Sequence, residues 1–260
     1  MGTELGKFLD VLDQRSLVPL DCKAVLLVGS AARGWTNVRS DYDFYLVSGT
    51  PWPGDDRDSI RLPLDSPTIQ TEAFYADGRR WEMTYWLDDQ IDQILAKVSW
   101  VEFERDRAAG QMLVSHEQAF LERLANCVPL AGEEWVSRRK QELDSSAFRS
   151  LVVARSLAAA DDAVEDALGQ VESGQMESAV LSARKAFGHA IDALLEQHGQ
   201  YGSYSPKWRP HRFRAAMPSG ISFARYWRLE TMRTFDEKCP SDWINEVLTL
   251  CQDISLKVEV

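Results

Sequence analysis

Apolar and polar positions along this chain follow two different rhythms. In the first third they come in short runs and alternations with a period near two, the period of a strand that shows different side chains to its two faces. Lys23 to Val28 is a valine- and leucine-rich run that stops at Gly29, as a buried strand would, and Ser30 to Trp35 can make a helical turn after it. Asp41 to Val47 alternates acidic or polar with apolar residues. Ser48 to Pro67 contains four prolines and reads as a loop flanking whatever the preceding strand carries. "TIQTEAFYA", Asp77-Gly78 and "RRWEMTYW" follow, and Asp-Gly between two alternating aromatic runs predicts a tight hairpin.

From Asp88 onward the apolar positions recur every three or four residues, the helical rhythm. The piece "QMLVS" at 111–115 has a strand's composition, and a helix is expected from Glu117 to Cys127. Beyond Pro129 and Gly132, helical periodicity runs through 133–173, 175–198, 221–236 and 241–256. The breaks fall at Gly174, Gly199–Pro206, Pro218-Ser219-Gly220 and Pro240. The expected fold class is α+β, with a mixed-sheet domain over 1–128 and an all-helical bundle over 129–260. No internal repeat is visible.

Composition narrows the function. The 260 residues are 45% hydrophobic with a formal net charge of −11, the balance of a globular protein with an acidic surface. That charge argues against a DNA-binding role, which rests on Lys and Arg neutralising phosphates. It favours cationic small molecules or basic partners, or serves solubility alone. Cys22, Cys127, Cys239 and Cys251 lack metal-site spacing and are expected to be reduced thiols of a cytoplasmic protein. The first 17 residues read as an amphipathic helix without the basic region and apolar run of a signal peptide. Gly6 stands where a myristoylation signal would need Ser or Thr, and no apolar stretch is long enough to span a membrane.

Two aspartates separated only by Tyr42 are costly in a half-buried strand unless a cation sits beside them. Residues i and i+2 of a strand project together, so Asp41 and Asp43 form a pair of hard oxygen ligands suited to Mg²⁺. Upstream, Gly29 leaves room for a phosphate against the backbone, and Ser30 offers a hydroxyl and an N–H at the start of a helical turn. Glu82, an isolated acid between Trp81 and Met83, is either a third carboxylate for this site or an outward-facing residue on a half-exposed strand. Arg33, one turn beyond Ser30, either touches a triphosphate or lies on the surface.

Gly29-Ser30, ten residues, and Asp41-Tyr42-Asp43 between apolar neighbours resemble the nucleotidyltransferase signature of the DNA polymerase β superfamily. "GSAARG…SDYDF" and "WEMTYW" are similar to the antibiotic nucleotidyltransferases, especially the streptomycin/spectinomycin adenylyltransferases, and to the minimal nucleotidyltransferases of toxin–antitoxin pairs. The resemblance spans roughly residues 23–115. It implies that Asp41 and Asp43 bind Mg²⁺ and that Glu82 is a further metal ligand or the base that deprotonates the acceptor hydroxyl. It implies a nucleoside triphosphate as donor, with ATP as the family's usual choice and other NTPs open, and a small hydroxyl acceptor, cationic molecules included. The other readings are an antitoxin-like module that modifies a protein or tRNA, and a nucleotide-binding pseudoenzyme. Some members build their site across a dimer, so oligomerisation stays open.

In the helical half, "SARKAFGHAIDALLEQHGQYGSYSPKWRPHRF" resembles the helical C-terminal domain of the same enzymes, where basic residues close over the triphosphate. That role carries over to Lys207 and Arg184, with a longer Arg-to-Lys spacing than the family shows. Trp208 and His189 suit core packing better than chemistry. Asp161, Asp162, Glu165 and Asp166 pair at i,i+4 and form either a solvated face or a patch for a cationic ligand.

Overall fold

The computed structural model describes residues 2–53, 59–105 and 113–260. Contacts divide the described residues into two compact units, one up to Ser146 and one over Ala147–Val260. The division therefore lies beyond the 128/129 boundary read from the sequence.

The first unit is built on a six-stranded sheet in the order β3-β4-β5-β2-β1-β6. Its elements are α1 (Gly2–Gln14), β1 (Cys22–Val28), α2 (Gly29–Ala32), β2 (Tyr42–Ser48), β3 (Ser59–Arg61), β4 (Thr68–Ala76) and β5 (Arg79–Leu87). They continue through α3 (Asp88–Lys97), α4 (Trp100–Arg105), α5 (Ser115–Ala125), β6 (Val128–Ala131) and α6 (Glu133–Ser145). β2 and β5 pair in parallel and every other pair is antiparallel. Asp77 and Gly78 turn the β4–β5 hairpin with φ of 51° and 71°, the left-handed values a two-residue turn requires.

Alternation sorts the sheet's side chains. Phe44 and Leu46 of β2, Trp81, Met83 and Tyr85 of β5, and Val25 and Leu27 of β1 share one face, buried with Leu12 of α1. Tyr45 and Trp86 lie on the other face and pack against Phe120 of α5, at centroid distances of 5.5 and 4.6 Å.

Four expectations change. The loop expected over Ser48 to Pro67 contains the short edge strand β3, while 54–58 lie outside the described residues. Of the strand expected at 111–115, residues 111 and 112 also lie outside; Leu113 and Val114 are not in a strand, and Ser115 opens α5. β6, read as part of the helical half, extends the sheet beside β1. The helix expected over 133–173 is two helices, α6 and α7 (Phe148–Glu172).

An ion network explains why α6 stays with the sheet. Arg139 of α6 lies 2.7 Å from Asp88 and 2.6 Å from Asp92 of α3, and Lys23 of β1 lies 2.6 Å from Asp88. Burial penalises the charged Asp88, but Lys23, Arg139 and the Trp135 indole outweigh it and hold the carboxyl down at about 2.

The second unit contains α7, α8 (Met176–Gln197), α9 (Arg209–Ala216), α10 (Phe223–Glu230) and α11 (Pro240–Ser255). Small residues face each other where α7 and α8 pack: Ala160, Ala163 and Ala167 meet a core that includes Ala179, Ala183, Ala186 and Ala190. Asp161, Asp162, Glu165 and Asp166 are all exposed, on the solvated side of α7. α9 was not read from the sequence; it is short and polar. Asp192 of α8 anchors it by accepting from Arg209 Nε and Nη2 at 3.1 and 2.8 Å and from Arg212 Nη1 at 2.6 Å.

Glu196, one turn on from Asp192, is fully buried and accepts from Ser156 Oγ at 2.7 Å. Its Oε1 lies 4.0 Å from Arg212 Nη2. Burial outweighs the attraction of Arg212 and pushes its carboxyl up to about 8. The unfolded chain ionises this group near its ordinary 4.5, whereas the folded unit keeps the proton. Stability should thus fall as pH rises from about 4.5 toward about 8. Glu196→Gln keeps the shape without the charge and should flatten that slope in unfolding curves taken across the same pH range.

Candidate active site

Register assembles the candidate site. Asp43 of β2 pairs with Val28 of β1 on one side and with Glu82 of β5 on the other. Residues directly opposite on neighbouring strands point to the same face, so Asp43 and Glu82 project side by side. They leave the sheet on the face opposite Phe44, Trp81 and Met83. Asp41 is one residue ahead of β2, so it is half-buried in the approach to the strand rather than fixed by pleating.

Gly29 brings the turn between β1 and α2 into this group. Its φ is 68°, and a Cβ built there would fall within the van der Waals radius of Asp43 Oδ2. The Asp43 carboxylate is thus packed on the Cα of Gly29, at the start of the turn carrying Ser30. Gly29 does two jobs that no other residue combines: a left-handed backbone and an open flank for a carboxylate. Ser30 is half-buried at this turn, and its carbonyl accepts from Trp35 N at 2.9 Å. Arg33 caps α2 and lays its guanidinium over the Trp35 ring, 3.7 Å from the centroid.

Glu82 has a partner that sequence reasoning missed. Arg80 Nη1 lies 2.6 Å from Glu82 Oε1, with 45% and 37% of the two side chains exposed. The signal was available: two residues apart on β5, the pair must share a face. Glu82 is therefore neither a bare outward-facing acid nor gathered with both aspartates around one point. Among the described residues no group of three or more His, Cys, Asp or Glu side chains is arranged to hold a metal ion. Register brings two carboxylates side by side, Asp43 and Glu82, and the missing Cβ of Gly29 makes room for the first of them.

The remaining candidates belong to the second unit. Arg184 is exposed on α8, and Lys207 is exposed in the 3-10 turn Pro206–Trp208 with its Nζ 5.1 Å from the Trp208 ring centroid. His189 is half-buried on α8, where desolvation lowers its pKa. Trp208 is half-buried and packs edge-on against His211 at 5.5 Å. Among the described residues, no helix is long and apolar enough to cross a membrane.

No protein-family description matches the chain, and no curated protein matches it. Among solved structures, the chain is similar to a nucleotidyltransferase-like protein from Exiguobacterium sibiricum. The two share 9% identity over 94% of this chain and 72% of that one, with a TM-score of 0.49.

Two glycines separate backbone strain from side-chain collision. Gly34 has φ 67° with nothing within 4 Å of a built Cβ, while Gly29 has the same strain and also meets Asp43. Gly34→Ala should cost about 1 kcal/mol of stability and Gly29→Ala about 1–2 kcal/mol more, measured by denaturant unfolding.

Proposed function

We propose that the first unit is a nucleotidyltransferase centre that moves a nucleoside monophosphate onto a hydroxyl and releases pyrophosphate. The observation that carries this reading is the side-by-side placement of Asp43 and Glu82, with Asp43 seated on Gly29 of a strand–turn–helix. In this reading Asp41 and Asp43 would hold Mg²⁺, and Glu82 beside Asp43 would serve as the base. A bound divalent ion supplies charge neutralisation at the phosphates.

The chain's own residues do the rest. Ser30 presents its hydroxyl and N–H to a phosphate at the turn that follows β1. Glu82 accepts the proton of the acceptor hydroxyl as its oxygen attacks the α-phosphorus. For this, Glu82 exchanges Arg80 for the reaction partners, and the freed Arg80 guanidinium is a cation on the same face for the triphosphate. Arg33, at the end of the turn that carries Ser30, is assigned to a supporting contact with the triphosphate. ATP is the proposed donor, and the net charge of −11 favours a small cationic acceptor such as an aminocyclitol.

The test is pyrophosphate release with Mg²⁺, each of the four NTPs and a panel of hydroxylated amines. Asp43→Ala should lower the rate by about 10³-fold and Glu82→Gln by about 10²-fold. Label transferred to a protein or tRNA would favour the antitoxin-like reading instead. A rate unchanged in Asp43→Ala would overturn both.

A further inference from the structure

We infer that the helical unit carries a separate binding pocket for a small aliphatic zwitterion with the chemistry of a free branched-chain amino acid. The inference is independent of the nucleotidyl-transfer reading. The pocket, about 390 Å³ in volume, lies where the C-terminal end of α8, residues 219–221, the start of α10 and the end of α11 come together. That volume is at the small end of the range for ligand sites.

Its floor is aliphatic. Leu194, Ile221, Leu250 and Ile254 line it and are otherwise buried, with 3–7% of each exposed. Such a floor suits a branched hydrocarbon side chain and offers it no polar partner.

Charge is divided around the rim. Arg225 and Lys257 line the pocket, and neither makes an ion pair among the described residues. Elsewhere in this unit Arg209, Arg212 and Arg228 are all paired with acids. Arg225 sits in the first turn of α10, where its N–H donates to the N-cap Ser222 Oγ at 3.2 Å. Lys257 Nζ lies over Gly220, 3.8 Å from where a Cβ would stand. These two cations provide for a carboxylate.

The opposite sign is also present. Asp253 lines the pocket and makes no ion pair with Arg225 or Lys257. α8 and α11 both end at the pocket, and a helix C-terminus is the negative end of its dipole. His198 is tied to the last turn of α8 by an Nδ1 contact of 2.8 Å with Leu194 O. A simple anion would meet Asp253 and two helix C-termini, whereas a simple cation would meet Arg225 and Lys257. A ligand bearing both charges on an aliphatic body matches the aliphatic floor and both signs of charge at the rim, while Gln197 and Ser219 add neutral polar groups to the lining.

Calorimetric titration of the full chain with L-leucine tests this, alongside three analogues that each lack one feature: 4-methylpentanoate, leucinamide and glycine. Leucine should bind with one-to-one stoichiometry, and each analogue should bind at least about tenfold more weakly. Arg225→Gln and Asp253→Asn, both at the rim, should each weaken leucine at least about tenfold while circular dichroism stays that of the parent. The inference fails if leucine shows no saturable binding up to about 10 mM, or if 4-methylpentanoate binds as tightly as leucine. It also fails if the two variants bind leucine as the parent does. Pyrophosphate release is not part of this readout, so either proposal can fail alone.

Discussion

The parallel pairing of β2 with β5 is the constraint on which the first unit depends. Side chains alternate along a strand, so a slip of one residue would carry Glu82 to the opposite face from Asp43 and reverse every apolar contact of β5 as well. The register is held from behind. Phe44 and Leu46 lie beside Met83 and Tyr85 in a face buried under α1, and the Phe44 and Trp81 rings stack at 5.2 Å. The two acids do not set this pairing, because like charges side by side repel. The core on one face thus imposes a juxtaposition that the other face resists, and a site that concentrates charge needs such a backing.

Parallel strands cannot be joined by a tight turn. Here the connection from β2 to β5 runs through β3 and β4, and β5 then inserts between β4 and β2. The crossover is closed by the Asp77-Gly78 turn and by anchors on the loop that precedes β4. Gln90 donates to the Ser66 and Thr68 carbonyls at 2.6 and 3.1 Å, and Leu62 N donates to Pro67 O at 2.7 Å. The turn chemistry at one end of the hairpin and the buried amide at the other bring β5 to β2 in one register.

Features that depend on neighbours in the chain were legible in the sequence. The hairpin rests on two residues with positive φ, and the Gly29–Asp43 arrangement follows a strand, turn and strand of fixed spacing. Features set by distant partners were not. β6 contains a proline and only four residues, and what makes it a strand is the open edge of β1. The break at 146–147 divides residues of similar helical periodicity; α6 is held to the sheet by Arg139, whose partners Asp88 and Asp92 lie far back in the chain. Asp192 and Glu196 gave a signal that went unread, since two acids one turn apart in an otherwise apolar stretch require buried partners.

Two ion pairs of the first unit differ in burial, and under the proposed function one is scaffold and the other takes part in the chemistry. Arg139 and Asp88 expose 7% and 14% of their side chains, and breaking one partner away would strand a charge in a poorly solvated place. Arg80 and Glu82 are far more exposed, and pairs of that kind contribute about 0–1 kcal/mol. Water screens the attraction and stands ready to solvate either partner, so Glu82 can leave Arg80 for another cation at little cost. An acid buried as deeply as Asp88 could not change partners within a reaction cycle. The half-exposed position of Glu82, which looks like a weakness in a strand interior, is what a carboxylate needs if it is to hold a counter-ion at rest and surrender it on demand.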